Sequence, residues 1–218
     1  MSVLLSQGLA DLSRELGENT VKTETARIGH YGDAVVEFFG EKKWPFAIKH
    51  DTSLTTTSST AGYSLTGITD MRQPGGIKLL TIDGDDYLPI AYEQRNDSRF
   101  DTKKWFYLNE EETLLFIKGS PEVGKVIDIC YWYLPARTTD LTSGSYPLPD
   151  RYRKTVAYLA AAYVQWARYL TTLGDAKYNM YLRGIGKVTR QQAERHQGNP
   201  RNIKHFLAGI GFRRTYPR

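Results

Sequence analysis

The sequence predicts an α+β protein: a helical bundle made of N-terminal helices and a long helix over 151–173, an inserted antiparallel β region, and an extended basic C-terminal arm. Three features of the chain point there. Tyr152, Val156, Leu159, Tyr163, Trp166, Leu170 and Leu173 step by 4, 3, 4, 3, 4 and 3, the spacing of a sustained heptad seam. Between 46 and 134 the apolar residues fall instead into short runs of period two, separated by Gly, Pro and Asp. Residues 183–218 carry nine Lys/Arg and one acid, Glu194, whereas residues 1–182 hold 20 basic against 23 acidic side chains. A slightly acidic body thus ends in a tail of charge +8.

Taken in order, Leu5, Leu9, Leu12 and Leu16 mark one face of a short helix over 3–16, with Gly17 as its stop. A second helix over 23–41 carries Ile28, Tyr31, Val35 and Phe38, weakened by Gly29, Gly32 and Gly40. Pro45 turns the chain out of that helix. The Ser/Thr-rich stretch 52–60 reads as a solvated edge strand or loop. A strand over 77–82 meets the hairpin signal Asp83-Gly84. Two short strands, 104–108 and 113–117, precede the strongest one, 125–134. There Ile127, Ile129, Tyr131 and Tyr133 share one face, and Val126, Cys130 and Trp132 the other, as in a strand covered on both sides.

Pro135 ends that strand, and a polar loop leads to Asp150 as N-cap of the 151–173 helix. A second face of that helix carries Tyr158, Ala162 and Tyr169, so it is expected to pack both within its bundle and against an adjacent subunit. Gly174-Asp175 interrupts it, a short helix resumes over 176–182, and Gly184 and Gly186 release the tail, in which 188–196 can form a further helix. The expected division is therefore 1–45 with 149–183 as helical body, 46–148 as β insertion and 184–218 as arm.

Composition limits the chemistry. At 218 residues the chain forms one sizeable domain or two small ones, and 40% hydrophobic with 24% charged residues is ordinary for a soluble globular protein. Aromatics make up 12%, with 15 Tyr, a composition suited to half-wet surfaces and subunit interfaces. One cysteine, Cys130, excludes an internal disulfide and suits a reducing compartment. The longest apolar run, 156–164, is far short of the ~18 residues of a membrane span. The opening MSVLLSQGLA lacks a basic n-region, so no signal peptide is expected, and a cytoplasm is the expected place of synthesis and assembly.

No catalytic constellation stands out. His30, His50, His196 and His205 lie at no metal-ligand spacing, so neither a metal nor a cofactor is expected. Asp83-Gly84-Asp85-Asp86 lacks the Glu that closes a calcium loop, and a hairpin turn explains it. Gly184-Ile185-Gly186-Lys187 has Tyr181 where a phosphate loop needs its first Gly and Val188 where it needs Ser or Thr. Cys130 sits mid-strand among apolar residues, as a buried inert thiol does. The reading is of a protein that is not an enzyme.

Binding is the remaining signal. In the tail, Lys187, Arg190, Arg195, Arg201, Lys204, Arg213, Arg214 and Arg218 are interleaved with Phe206, Leu207, Phe212 and Tyr216. Such a segment suits a nucleic acid, a membrane surface or an acidic groove on a protein. Phe206 and Phe212 favour apolar pockets on a protein partner, with stacking on single-stranded bases as the rival. A solvated terminus is the plain alternative. The expected subunit-packing residues are Tyr152, Val156, Tyr158, Leu159, Tyr163, Trp166, Tyr169 and Leu170.

The motifs also come in a telling order. A helix ends in Trp44-Pro45-Phe46. Ala61-Gly62-Tyr63-Ser64-Leu65 follows a Ser/Thr-rich strand. Tyr107-Leu108 and Leu114-Leu115-Phe116 mark hairpins, Tyr131-Trp132-Tyr133-Leu134-Pro135 closes a Tyr-rich strand, and Leu148-Pro149 opens an Ala/Tyr helix. Over about 21–183 this order resembles the head-to-tail connector (adaptor) proteins of tailed bacteriophages. The resemblance implies a structural virion protein of the phage neck, assembled in the host cytoplasm: a homo-oligomeric ring, typically a dodecamer, that docks under the portal protein. Such a ring continues the channel for the double-stranded DNA and presents a platform to a tail or nozzle protein. It also implies a C-terminal arm laid along the portal. The alternative reading is a soluble nucleic-acid-binding protein using its basic arm on phosphates, with affinity falling steeply as salt rises.

Overall fold

Leu5, Leu9 and Leu12 do line one face of a helix, α1 (Leu5–Glu15), and all three are buried. A computed structural model of the chain describes residues 2–58 and 62–197, and these fall into two compact units. The first comprises Met1–Ala34, Thr139–Ser143 and Leu148–Arg218; the second comprises Val35–Thr138 and Gly144–Pro147. Two short strands, β1 (Val3–Leu4) and β9 (Ser145–Tyr146), lie near the ends of these segments.

In the first unit α1 ends in a Schellman turn. The Glu18 N–H donates to Ser13 O (2.9 Å) and the Gly17 N–H to Arg14 O (3.0 Å), with Gly17 at φ +72°. α2 (Thr25–Glu41) begins here and places Ile28 and Tyr31 in the core. Arg27 is only 2% exposed, and its guanidinium donates twice to the Glu18 carboxylate, each bond 2.5 Å. α3 (Arg153–Ala167) packs against both α1 and α4 (Thr171–Gln197). Its Tyr152 lead-in, Val156, Leu159 and the run 160–162 are buried within this unit. Arg153 ties α3 to Asp11 of α1 (2.8 Å), and Lys177 ties α4 to Glu15 (3.0 Å).

The second unit is a seven-stranded sheet in the order β2-β8-β4-β5-β6-β7-β3. Its strands are β2 (Ile48–Thr55), β3 (Tyr63–Ser64), β4 (Ile77–Ile82), β5 (Asp85–Pro89), β6 (Trp105–Leu108), β7 (Leu114–Ile117) and β8 (Val126–Trp132). All neighbours are antiparallel except β5 and β6, which run parallel. The Ser/Thr-rich stretch supplies the edge strand β2, and β8 is sandwiched between β2 and β4. Leu80, Ile82, Tyr87, Phe106, Leu115, Ile127 and Ile129 are buried. Beside them Phe38 stacks on Trp44 (4.5 Å between centroids), Phe39 meets Phe46 and Tyr133, and Trp44 Nε1–H donates to Phe38 O (2.6 Å).

This corrects the predicted fold class. The protein is not a helical bundle with an inserted β region; it is built on a nearly closed, barrel-like sheet, with four α-helices among the described residues. The prediction assumed that all the helical stripes must cover one another. The second half of α2 instead belongs to the sheet's unit, where Phe38 and Phe39 complete an aromatic wall, and the sheet encloses a core of its own.

Two further differences concern the helices. The seam predicted through 151–173 breaks after Ala167, with Tyr169 at φ +60°. α4 then runs without interruption through Gly174, Gly184 and Gly186 to Gln197. A Cβ on Gly184 would lie 2.8 Å from the Thr155 side chain, and one on Gly174 would lie 2.3 Å from the Trp166 indole. These glycines let α4 approach α3 closely; they do not end it.

Candidate interaction surface

The described residues hold one cysteine, Cys130, and three histidines, His30, His50 and His196. No group of three or more His, Cys, Asp or Glu stands ready for a metal among them. His50 Nδ1 lies 2.9 Å from an Asp128 carboxylate oxygen on the exposed side of the sheet, without a nucleophile. Cys130 is buried, and burial pushes its thiol up, away from the reactive thiolate. Among the described residues no helix is long and apolar enough to cross a membrane.

The unusual geometry lies at the elbow between α3 and α4. The Leu170 N–H donates to Gln165 O (2.9 Å) and the Tyr169 N–H to Trp166 O (2.9 Å). That is the same Schellman turn as at Gly17, but the left-handed position is held by Tyr169. A left-handed L-residue costs roughly 1–2 kcal/mol. The ring gains no burial in return: Tyr169 is 92% exposed, next to Leu170 at 44% and Leu173 at 53%. An aromatic held out in a strained conformation is the shape of an anchor for a partner.

From the elbow, one face of α4 continues outward. Leu173, Ala176, Met180, Arg183, Lys187 and Arg190 step by 3, 4, 3, 4 and 3, and all six are exposed. The row is apolar in its first half and cationic in its second, and at 1.5 Å per residue it is about 25 Å long. Arg183, Lys187 and Arg190 have no ion-pair partner among the described residues, whereas Lys177, on the inner side, pairs with Glu15.

The structure divides the predicted subunit-packing residues. Tyr152, Val156 and Leu159 are spent inside the unit's own core. Tyr158 is half-buried, with the Lys154 and Lys177 ammonium groups near its ring (5.7 and 5.6 Å). Tyr163 lies between His30 and Trp166, and Trp166 Nε1–H donates to Asp175 (3.0 Å). Tyr169 and Leu170 face solvent. Of the predicted arm, Lys187 and Arg190 sit on the outer row of α4 and Arg195 on its last turns. Arg201, Lys204, Phe206, Phe212, Arg213, Arg214 and Arg218 lie outside the described residues. Sequence reasoning missed Met180 and Arg183. Their signal was the unbroken 3–4 spacing from Leu173 to Arg190, hidden by reading Gly174 and Gly184 as helix breakers.

The profile of the SU10 adaptor proteins matches residues 5–204. The chain belongs to the SU10 adaptor protein family. It is thus a member of a phage head-to-tail adaptor family, as the motif order implied. SU10 adaptors are structural proteins of the phage neck. No curated protein matches the chain.

Proposed function

We propose that this SU10 adaptor closes with copies of itself into a ring, a dodecamer on the family resemblance, seated between the portal and a tail or nozzle protein. The ring continues the channel through which double-stranded DNA is ejected. The observation that carries this reading is Tyr169, strained and exposed beside Leu170 and Leu173. In a ring every copy has two neighbours, and such an elbow finds cover on one of them. The residues from Arg195 onward, Arg201, Lys204, Phe206, Phe212, Arg213, Arg214 and Arg218, take the portal, with DNA as the other candidate. Negative-stain images of the protein alone and mixed with portal rings test the reading. Rings stacked on portals are expected, and deletion of 198–218 is expected to leave a folded body that no longer docks. Undiminished docking of the truncated chain would remove the arm from the proposal. A protein that stays monomeric with and without the portal would remove the ring.

The cationic half of the α4 row favours a second reading, in which the protein holds nucleic acid as a monomer or dimer. Titrating a labelled duplex at two salt concentrations separates the two. Binding that is tight at the lower salt and still measurable at the higher one supports this alternative; weak, sequence-blind binding that the higher salt erases supports the adaptor ring.

A further inference from the structure

Within the sheet's unit an open cleft of about 430 Å³ is lined by Tyr92, Glu93, Phe106, Tyr107, Glu110 and Glu112, among others. Its chemistry is specific. Tyr92 and Tyr107 lie 6.2 Å apart and tilted, and Tyr107 is fixed by stacking on Phe116 at 4.9 Å. The chain's own Arg95 guanidinium already rests 3.9 Å from the Tyr92 ring centroid, so this ring binds that group. Glu112 is committed to the Gly75 N–H (2.7 Å). Glu93 and Glu110 are exposed and have no hydrogen bond or ion pair among the described residues. Aromatic faces beside free carboxylates fit a guanidinium or an ammonium on a long stem: an arginine or lysine side chain.

We propose that this cleft receives the cationic row of α4, Arg183, Lys187 and Arg190, from a second copy of the chain. The inference rests on the ring reading above and names one of its contacts. Charge complementarity selects the occupant. The unit that holds the cleft has 15 acidic and 12 basic residues, and the unit that holds α4 has 9 acidic and 17 basic. The row presents three adjacent cations without an acid among them, and the cleft presents two carboxylates free to meet them. Each copy then offers a receptor to one neighbour and a row to the other, which is the head-to-tail contact that closes a ring. Leu173 and Met180, on the same face, give the contact an apolar end.

Charge reversal tests this. One variant carries Glu93→Arg and Glu110→Arg; another carries Arg183→Glu, Lys187→Glu and Arg190→Glu. All substituted positions are exposed, and circular dichroism checks the fold of each variant. Like charges placed opposite one another cost several kcal/mol, so each variant alone is expected to need about a hundredfold more protein to assemble, as read by light scattering. The two variants mixed, and a single chain carrying all five reversals, are expected to assemble again, because each cleft then meets a row of opposite sign. Misfolded chains cannot produce that rescue. If the wild type assembles and the reversed variants assemble equally well, or if reversal of both sides fails to rescue, this contact is wrong and the ring stands. If the wild type never assembles, alone or on the portal, the ring fails and this contact with it.

Discussion

Replacing Tyr169 by Gly separates the two roles a side chain can have here, because it is expected to push stability and assembly in opposite directions. The elbow turn asks for a left-handed residue, and α1 meets the same demand with Gly17. Removing the left-handed penalty should return roughly 1–2 kcal/mol. Glycine gives back roughly 0.5–1 kcal/mol through the greater freedom of the unfolded chain. The lost ring contributes little to the isolated fold, since it is 92% exposed. The net change is a stabilisation between about 0 and 1.5 kcal/mol, or up to a few degrees in melting temperature for a chain of this size. Losing an aromatic anchor from an interface costs about 2 kcal/mol or more, a factor of about 30 in affinity. Urea denaturation at concentrations where the chain is monomeric measures the first effect, and light scattering across a concentration series measures the second. Tyr169→Asn is the control, since asparagine tolerates the left-handed region but lacks the ring. If Tyr169→Gly lowers stability by more than about 1 kcal/mol, the ring holds the fold together and the anchor argument is wrong. If assembly is unchanged, the elbow lies outside the contact.

Two further outcomes follow from the first unit. The Glu18 carboxyl is held below its ordinary value of 4.5, first by its hydrogen bonds from Arg27 and then by the nearby charges of Arg27, Lys22 and Arg168. Its contribution to stability is therefore complete above the ordinary glutamate range and is lost as pH falls through the lowered value. Glu18→Gln leaves the buried Arg27 guanidinium with only the more exposed Glu24 carboxylate, 3.6 Å away, as counter-charge and should cost about 2 kcal/mol at neutral pH, shrinking toward zero in acid, as read from urea midpoints across pH. A cost that stays constant with pH would mean the ion pair is not its source. Gly184→Val forces a branched side chain into Thr155 and should cost about 2 kcal/mol of stability, whereas Gly184→Ala combined with Thr155→Ala should recover most of it, measured by thermal unfolding.

Much of the architecture was legible in the residues. The Leu5, Leu9 and Leu12 stripe, Gly17 as a stop and the edge character of the Ser/Thr-rich stretch from Thr52 follow from periodicity, composition and turn chemistry; the expected cover on both faces of β8 does not hold, since Ile127, Ile129 and Tyr131 are buried while Val126 on the other face is 49% exposed. The assembly of these pieces was not. An apolar stripe on α2 states that a face must be covered, but not by which layer, and Phe38 and Phe39 turned out to serve the sheet. Nor did any local signal foretell the parallel β5–β6 pair or the cleft beside it, because both depend on contacts between segments more than ten residues apart.

Glycine shows why the site was only half legible. Gly17 and Gly184 look alike in sequence, yet one closes a helix at positive φ and the other lets two helices touch over Thr155. The difference resides in the neighbour, not in the residue. Tyr169 is the converse, a turn that demands glycine and is given an aromatic ring. The heptad seam was real as a pattern, but it records what must be covered and not what does the covering. Its first half, Tyr152 to Leu159, is covered within the chain; its end, Leu170 and Leu173, is not. A seam whose end leaves the core in this way marks the residues that the proposed ring would cover. Substituting Leu170 and Leu173 should therefore disturb assembly while sparing the monomer, and substituting Val156 and Leu159 should do the reverse.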